Sequence, residues 1–359
     1  MKSSSINYNI LVAISILLVL GVLCIADVSA PFSQKVYGNT YSIFLKHLAS
    51  VLVGLFGGFL AFKVPIDFFK KNAEYITLAT VILMLIVFIP GIGIKAGGAS
   101  RWINLGFTSI QPSEFFKLAF IIFLAKKLTT NRIRSYGDFI RIFFVFFLLI
   151  IPILVQKDMS TLMVLSAIFL VMYFLSDAPW QHSFLMVLIG IIGIFILIKF
   201  EPYRLQRVEL FLNPDLDPMG AGWQQKQSLI SIGSGGITGL GLGLSKQKMG
   251  FLPQPMTDSI FAIVCEQLGF IGAIAILFLY LYFMLQGFNI AKKSRSEFMR
   301  LVSFGIVIWI IGQAFVNISS AIGLFPITGL PLPFVSMGGS SLIAGLTAVG
   351  LLLNISKQI

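Results

Sequence analysis

Asp258 lies in Leu252-Pro253-Gln254-Pro255-Met256-Thr257-Asp258-Ser259, just before a long apolar run. A carboxylate at the mouth of a membrane span, partly desolvated, has a raised pKa and can act as a base. The competing reading is that Thr257 or Asp258 simply caps the following helix. Glu266 comes eight residues later, two turns or roughly 12 Å deeper on about the same face. A lone carboxylate inside a span is costly, so Glu266 must be protonated or paired, with Lys117 as a cation that could reach it.

Other charges stand in apolar surroundings. Glu114 and Lys117, in Gln111-Pro112-Ser113-Glu114-Phe115-Phe116-Lys117, are three apart and share a helix face. They are either a structural ion pair or, with Arg101 of Gly97-Gly98-Ala99-Ser100-Arg101-Trp102, the lining of a polar cavity. Arg204, Arg207, Lys226, Lys246 and Lys248 form a basic set. Such a set is a solvated surface or a clamp for a diphosphate, where cations offset leaving-group charge. Asn317 to Ser341 has no charge but three prolines and many glycines. Irregular backbone at membrane depth survives only when buried in protein or lining a cavity, so a re-entrant or broken segment beside a groove is expected there.

Several chemistries find no support. His47 and His182 are far apart, and Cys24 and Cys265 have neither disulfide nor metal spacing and read as small buried hydrophobes. The Gly-rich stretch from Gly233 to Gly243 matches neither nucleotide-binding fingerprint. Its apolar and Gly content argues for close packing rather than disorder.

These residues need a scaffold, and composition names its class. The chain has 359 residues, 57% hydrophobic and 11% charged, with a formal charge of +12. Soluble domains carry about 25% charged residues. A cytosolic enzyme, a disordered chain and a nucleic-acid-binding domain are excluded. Ten apolar runs fall near 9–26, 44–63, 75–92, 113–128, 139–156, 160–176, 184–200, 259–290, 301–320 and 340–356. In lipid each must be a helix. The expected fold is all-α: one polytopic membrane domain over residues 1–359, about ten spans, with one long outer loop at about 201–258. The first run is long for a signal peptide, and Pro31 follows the only cleavage-like site, so it reads as an uncleaved span.

Lys63, Lys70, Lys71, Lys126, Lys127, Arg132, Arg134, Arg141, Lys292, Lys293, Arg295 and Arg300 fall in one set of short loops. The alternate loops carry few cations: Lys35, Lys95, Arg101 and Lys157. The positive-inside rule makes the basic set cytoplasmic, and with ten spans both termini too. The positive charge is thus largely a topology signal, with a remainder available to anionic membrane lipids.

In this order the segments resemble the SEDS family of bacterial cell-wall proteins, which includes FtsW, RodA and SpoVE. The resemblance covers nearly the whole chain. Its most specific part is Asn317, Gly323-Leu324, Pro326, Gly329-Leu330, Phe334-Val335-Ser336 and Gly338-Gly339-Ser340-Ser341. Gly220-Ala221-Gly222-Trp223-Gln224 through Gly236, Thr257-Asp258, Ala99 to Ile103 and Gln111 to Glu114 add to it. Gly241 to Lys248 and the outer loop from Tyr37 to Lys46 resemble the division branch, FtsW, more than the elongation branch, RodA. Three positions depart from the family pattern: Gln254 and Met256 stand where Glu and His are usual, and Met337 stands at a position where a small residue or Tyr is usual.

The resemblance implies a peptidoglycan glycosyltransferase of the bacterial cytoplasmic membrane that polymerises lipid II on its outer face, with Asp258 essential. A lipid II flippase, a division scaffold and an elongation polymerase are the alternatives. A single-span class B penicillin-binding protein is the implied partner. Asp258 is expected to take the acceptor hydroxyl's proton. Arg101, Lys246 and Lys248 are expected to stabilise the departing lipid diphosphate, with a divalent cation as a conceivable aid. Glu114, Lys117 and Glu266 are expected to hold the cavity's shape, and Thr257, Ser336, Gly338 and Gly339 to line the substrate site.

Overall fold

A computed structural model of the chain describes residues 7–96, 99–106, 108–130, 133, 135–200, 202–213, 216–217 and 220–359. Gly97, Gly98, Arg132, Arg134 and the side chain of Arg204 lie outside the described residues. In chain order the helices are α1 (Tyr8–Tyr37), α2 (Ser42–Lys63), α3 (Ile66–Lys71), α4 (Ala73–Ile86), α5 (Pro112–Thr130), α6 (Tyr136–Val155), α7 (Met159–Phe174), α8 (Trp180–Phe200), α9 (Pro202–Leu212), α10 (Ala221–Ser234), α11 (Ile260–Lys293), α12 (Glu297–Ala321) and α13 (Gly339–Ser356). Each of the ten apolar runs falls on a helix. Among the described residues seven helices, α1, α2, α6, α8, α11, α12 and α13, are long and apolar enough to cross a membrane. α4 and α7 are apolar but shorter, and α5 carries Glu114, Lys117, Lys126 and Lys127. The chain is a multi-pass membrane protein.

Local signals set the helix ends. The Asn7 side chain accepts the Asn9 and Ile10 amides, and Gly38, at φ 67°, ends α1 in the left-handed conformation. Ser135 and Asp138 form a capping box on α6. Pro112 opens α5, where a missing N–H costs nothing.

Packing follows the logic of a lipid solvent. α12 and α13 are mostly buried, while α2, α6 and α8 expose Leu, Ile and Phe outward. α2 crosses α13 at glycines: a Cβ on Gly350 would stand 2.0 Å from the Gly58 carbonyl oxygen, and one on Gly58 2.8 Å from that of Leu346. Small residues allow backbones to approach where lipid supplies no hydrophobic drive between helices.

The two ends of the bundle differ. At one, the Asn7 N–H donates to Ser356 Oγ (3.3 Å), Asn354 Nδ2 to the Val64 carbonyl (2.6 Å) and Lys126 Nζ to the Lys71 carbonyl (3.2 Å). Both termini therefore share an end with the basic connections. At the other end lie the α1–α2 turn, the described residues between α4 and α5 and between α8 and α11, and the irregular stretch 322–338.

Two features of that second end refine the all-α expectation. Residues 93–110 hold a small antiparallel sheet, β1 (Gly93–Ala96), β2 (Ala99–Asn104) and β3 (Ser109–Ile110), in that order, with Ile94 opposite Trp102 and Ile103 opposite Ile110. The described part of the long connection carries α9, α10 and a 3-10 turn at Gln247–Met249. Its Gly-rich part docks on a kink in α11, where Gly269 is non-helical (φ 66°, ψ −163°). The freed backbone groups are satisfied there: Leu240 and Gly241 amides donate to the Glu266 and Gln267 carbonyls (2.9 and 3.0 Å), and the Phe270 amide to that of Gly236 (2.9 Å). A Cβ on Gly239 would stand 2.1 Å from the Gln267 oxygen, and one on Gly269 2.3 Å from the Gly239 nitrogen. These glycines exist for close backbone contact, as their composition suggested.

Candidate functional site

Asp258 occupies a turn that three segments hold in place. Gln254, at φ +50°, turns the chain so that its carbonyl accepts both the Thr257 and Ser259 amides (3.2 Å each). Ser336 Oγ donates to the Thr257 carbonyl (2.6 Å) and accepts the Leu332 amide (2.7 Å). The Met337 amide donates to the Met256 carbonyl (2.8 Å). From α12, Asn317 Nδ2 donates to the Asp258 carbonyl (3.0 Å) and to that of Leu330 (2.7 Å). The signature segment and the Asp258 turn are thus one hydrogen-bonded body. The irregular stretch 322–338 is buried through Leu330, Leu332, Phe334 and Val335, as irregular backbone at membrane depth requires.

These bonds all use the backbone of the turn and leave the Asp258 side chain aimed into a cleft. The capping alternative fails, because Ser259 is the N-cap of α11 and no side chain caps that helix. Asp258 shares the cleft with Gln224, Gln225 and Ser228 of α10, Ser320 of α12 and Ile327. A second cavity adjoins it through Gln224, Gln225 and Ile327 and reaches Arg207 of α9. Arg207 is anchored by donating from Nη1 to the Ile327 carbonyl (2.7 Å). Burial pushes the Asp258 carboxyl above its ordinary range, while the Thr257 hydroxyl and the Arg207 charge partly offset this. Gly329, at φ +76°, keeps the wall beside it low; a Cβ there would stand 3.7 Å from Asp258 Oδ2.

The remaining predicted residues divide differently from expectation. Lys117 does not reach Glu266. Its Nζ bonds Glu114 Oε1 (2.8 Å) and Gln313 Oε1 (2.9 Å) and lies 5.1 Å from the Trp309 ring centroid. Lys117 and Glu114 are fully buried in the bundle, which is the structural ion-pair reading. Glu266 is instead filled by neutral donors: Ser231 and Ser245 hydroxyls at 3.2 and 2.5 Å, and Lys246 and Gln247 amides at 2.9 and 3.4 Å. The expected cation, Lys117, is replaced at Glu266 by the serines and amides that α10 and the loop deliver.

The expected cations are also committed elsewhere. Lys248 is buried and its Nζ pairs with Asp27 of α1 and donates to the Gly243 carbonyl (2.7 Å). Asp27 also accepts Gln267 Nε2 (2.5 Å). Lys246 enters through its amide on Glu266, with its side chain exposed. Arg101, on β2, donates to the Gln156 and Lys157 carbonyls (3.3 and 2.6 Å) and lies 3.9 Å from Asp158 Oδ1. Gly338 is the N-cap of α13 and Gly339 its first residue; a Cβ on Gly339 would stand 3.1 Å from Ser50 Oγ. The cation that lines the cavity adjoining the Asp258 cleft is Arg207. Sequence reading placed it in a basic set without choosing it, and it did not identify Gln224, Gln225 or Ser228. Their signal was the Gly220 to Gln224 motif followed by polar residues on one face of α10. Among the described residues no group of three or more His, Cys, Asp or Glu is placed to hold a metal.

A helical membrane bundle with a partly desolvated carboxylate and a guanidinium lining adjoining cavities at one end is the class that fold and site define. Residues 8–359 match the family model FtsW/RodA/SpoVE, described as cell cycle protein. The chain belongs to that family. It is 37% identical over 362 residues to "Stage V sporulation protein E" of Bacillus subtilis (strain 168), covering 99% of this chain and 98% of the relative. It is 37% identical over 347 residues to "Probable peptidoglycan glycosyltransferase FtsW" of Geobacter sp. (strain M18), covering 96% and 94%. Its fold matches a chain from "Structural coordination of polymerization and crosslinking by a peptidoglycan synthase complex" with a TM-score of 0.81 at 26% identity, covering 99% and 98%.

Proposed function

We propose that this protein is a peptidoglycan glycosyltransferase that polymerises lipid II at the outer face of the bacterial cytoplasmic membrane, in septal wall synthesis. The observation that carries the reading is the Asp258 carboxyl, held through its backbone, side chain in a cleft, with Arg207 lining the adjoining cavity. The Geobacter relative bears the name probable peptidoglycan glycosyltransferase FtsW, which supports the same chemistry. The basic end of the bundle is cytoplasmic by the positive-inside rule. Ten crossings in a single domain then put both termini inside and Asp258 outside.

The mechanism follows from the geometry. The acceptor's sugar hydroxyl attacks the anomeric carbon of the donor. Asp258 takes the hydroxyl proton as the oxygen–carbon bond forms, and its raised pKa makes it a stronger base than an ordinary carboxylate. The bond from that carbon to the diphosphate oxygen breaks, and the electron pair leaves on the lipid diphosphate. Arg207 stabilises that charge. One displacement inverts the anomeric centre. Lys246 is exposed and free to add long-range attraction for the diphosphate; Lys248 and Arg101 act by holding the loop and the sheet. Ser336, through the Thr257 carbonyl, positions the turn, and Gly338 and Gly339 start α13 directly after that segment.

A single-span class B penicillin-binding protein is the proposed partner, since a matched chain comes from a complex of polymerisation and crosslinking. The test is polymerisation of lipid II in detergent by purified protein with that partner. Glycan chains are expected. A flippase needs two sealed compartments and a scaffold needs no substrate, so inactivity in detergent with an otherwise competent partner would overturn the proposal.

A further inference from the structure

We infer that Gln225 reads the 2-acetamido group of the diphosphate-linked sugar, an assignment that rests on the proposed glycosyl transfer. Three observations carry it. First, Gln225 is 8% exposed, yet among the described residues nothing hydrogen-bonds its amide. Its neighbours are committed: Gln224 Nε2 donates to Ser259 Oγ (3.2 Å) and Ser228 Oγ to the Ala321 carbonyl (2.8 Å). Its amide is open to the cavities that the side chain lines, and there it offers a donor and an acceptor to a partner from outside the chain. Second, Gln225 lines both adjoining cavities, the one that reaches Asp258 and the one that reaches Arg207. Third, space is kept for it. Gly323 takes φ +78°, and a Cβ there would stand 2.7 Å from Gln225 Nε2.

Chemistry selects the ligand group. Between a base that receives the acceptor proton and a cation that receives the diphosphate lie the reacting carbon and its ring neighbour C2. In an N-acetylated sugar C2 bears a secondary amide. A primary carboxamide donates and accepts at once, and another amide is its natural complement. Apart from Asp258, the polar groups on the wall of that cavity are uncharged, Gln224, Ser228, Ser259 and Ser320, which suits an uncharged substituent.

The experiment compares purified wild type and Gln225→Met, with the partner, on lipid II and on an analogue bearing a 2-hydroxyl in place of the 2-acetamido on the diphosphate-linked sugar. Wild type is expected to favour lipid II about tenfold or more in kcat/KM, the worth of a hydrogen bond lost from a buried site. Gln225→Met is expected to lose most of that preference while the acid limb of its pH profile stays in place. Equal preference in variant and wild type, or no preference in wild type, would overturn the assignment. If the Met variant does not purify folded, Gln225→Asn gives the same reading, since a shortened amide should also lose discrimination and undiminished discrimination contradicts the inference. Failure of the underlying reading is separate: it would show as no glycan from wild type with a competent partner, on lipid II or on the analogue, whatever Gln225 does.

Discussion

Asp258 and Glu266 are two carboxylates eight residues apart at the entry to α11, and the chain treats them in opposite ways. Four donors converge on the Glu266 side chain, two hydroxyls and two amides. It thereby ties the Gly-rich connection to the α11 kink. At Asp258 the protein holds the backbone instead, through Asn317 and the Gln254 and Ser336 bonds on either side, and leaves the carboxyl in the cleft. A carboxylate whose acceptors are all filled builds structure. One held by its backbone, with its side chain lining a cleft, is placed to meet substrate. Lys248 pairs with Asp27 away from that cleft, whereas Arg207 lines the adjoining cavity.

The comparison can be broken by exchanging the fates of these residues. Asp258→Asn should abolish detectable polymerisation, a loss toward the upper end of the roughly 10²- to 10⁴-fold that a general base contributes, with detergent melting unimpaired. Arg207→Ala should cost about 10²- to 10³-fold in kcat, as for one lost transition-state donor, and Arg207→Lys should recover part of it. Glu266→Ala should act on stability. It strands buried donors in the α10–α11 contact and should cost about 2–4 kcal/mol, read as a large fall in melting temperature, with activity lost only as the fold is lost. A melting curve like wild type together with lost activity would reverse its assignment.

Smaller effects sharpen the contrast. Lys248→Met alone leaves Asp27 without its cation and should destabilise, whereas Asp27→Asn/Lys248→Met together should be milder, because removing both members of a desolvated pair costs less than removing one. A larger loss in the double variant would return Lys248 to the site. A pH effect follows from the raised carboxyl. The folded state binds the Asp258 proton more tightly than the unfolded chain, so this group's stabilising contribution is present at low pH and is lost as pH rises through its folded pKa. Asp258→Asn should therefore melt slightly higher than wild type at neutral pH and show no gain below the ordinary carboxylate range. Activity has the opposite dependence: it falls as pH drops through the raised pKa and the base becomes protonated.

How much of this the sequence revealed depended on the range of each interaction. The apolar runs marked the helices because hydropathy is local and a lipid solvent permits little else. Asp258 was legible as a carboxylate stranded at the mouth of a span, and the 317–341 segment as irregular backbone needing cover. The sheet at 93–110 was not legible, since its strands are two to six residues long. Partners distant in sequence were also hidden. Lys248 and Asp27 are 221 positions apart, and nothing local to Lys248 shows that its charge is already spoken for. Glu266 was assigned to Lys117 because a carboxylate in a span calls for a cation, but Ser231, Ser245 and two amides meet the same need through hydrogen bonds. The Gly233–Gly243 stretch was correctly read as closely packed, while its docking surface, the kink at Gly269, required the folded chain.

The most direct test of the central claim is the pH dependence of lipid II polymerisation by the purified protein with its partner, for wild type beside Asp258→Asn at matched thermal stability. The account predicts that wild type makes glycan chains, with an acid limb above the ordinary carboxylate range, and that the variant makes none at any pH. Chains from a folded Asp258→Asn protein would contradict it.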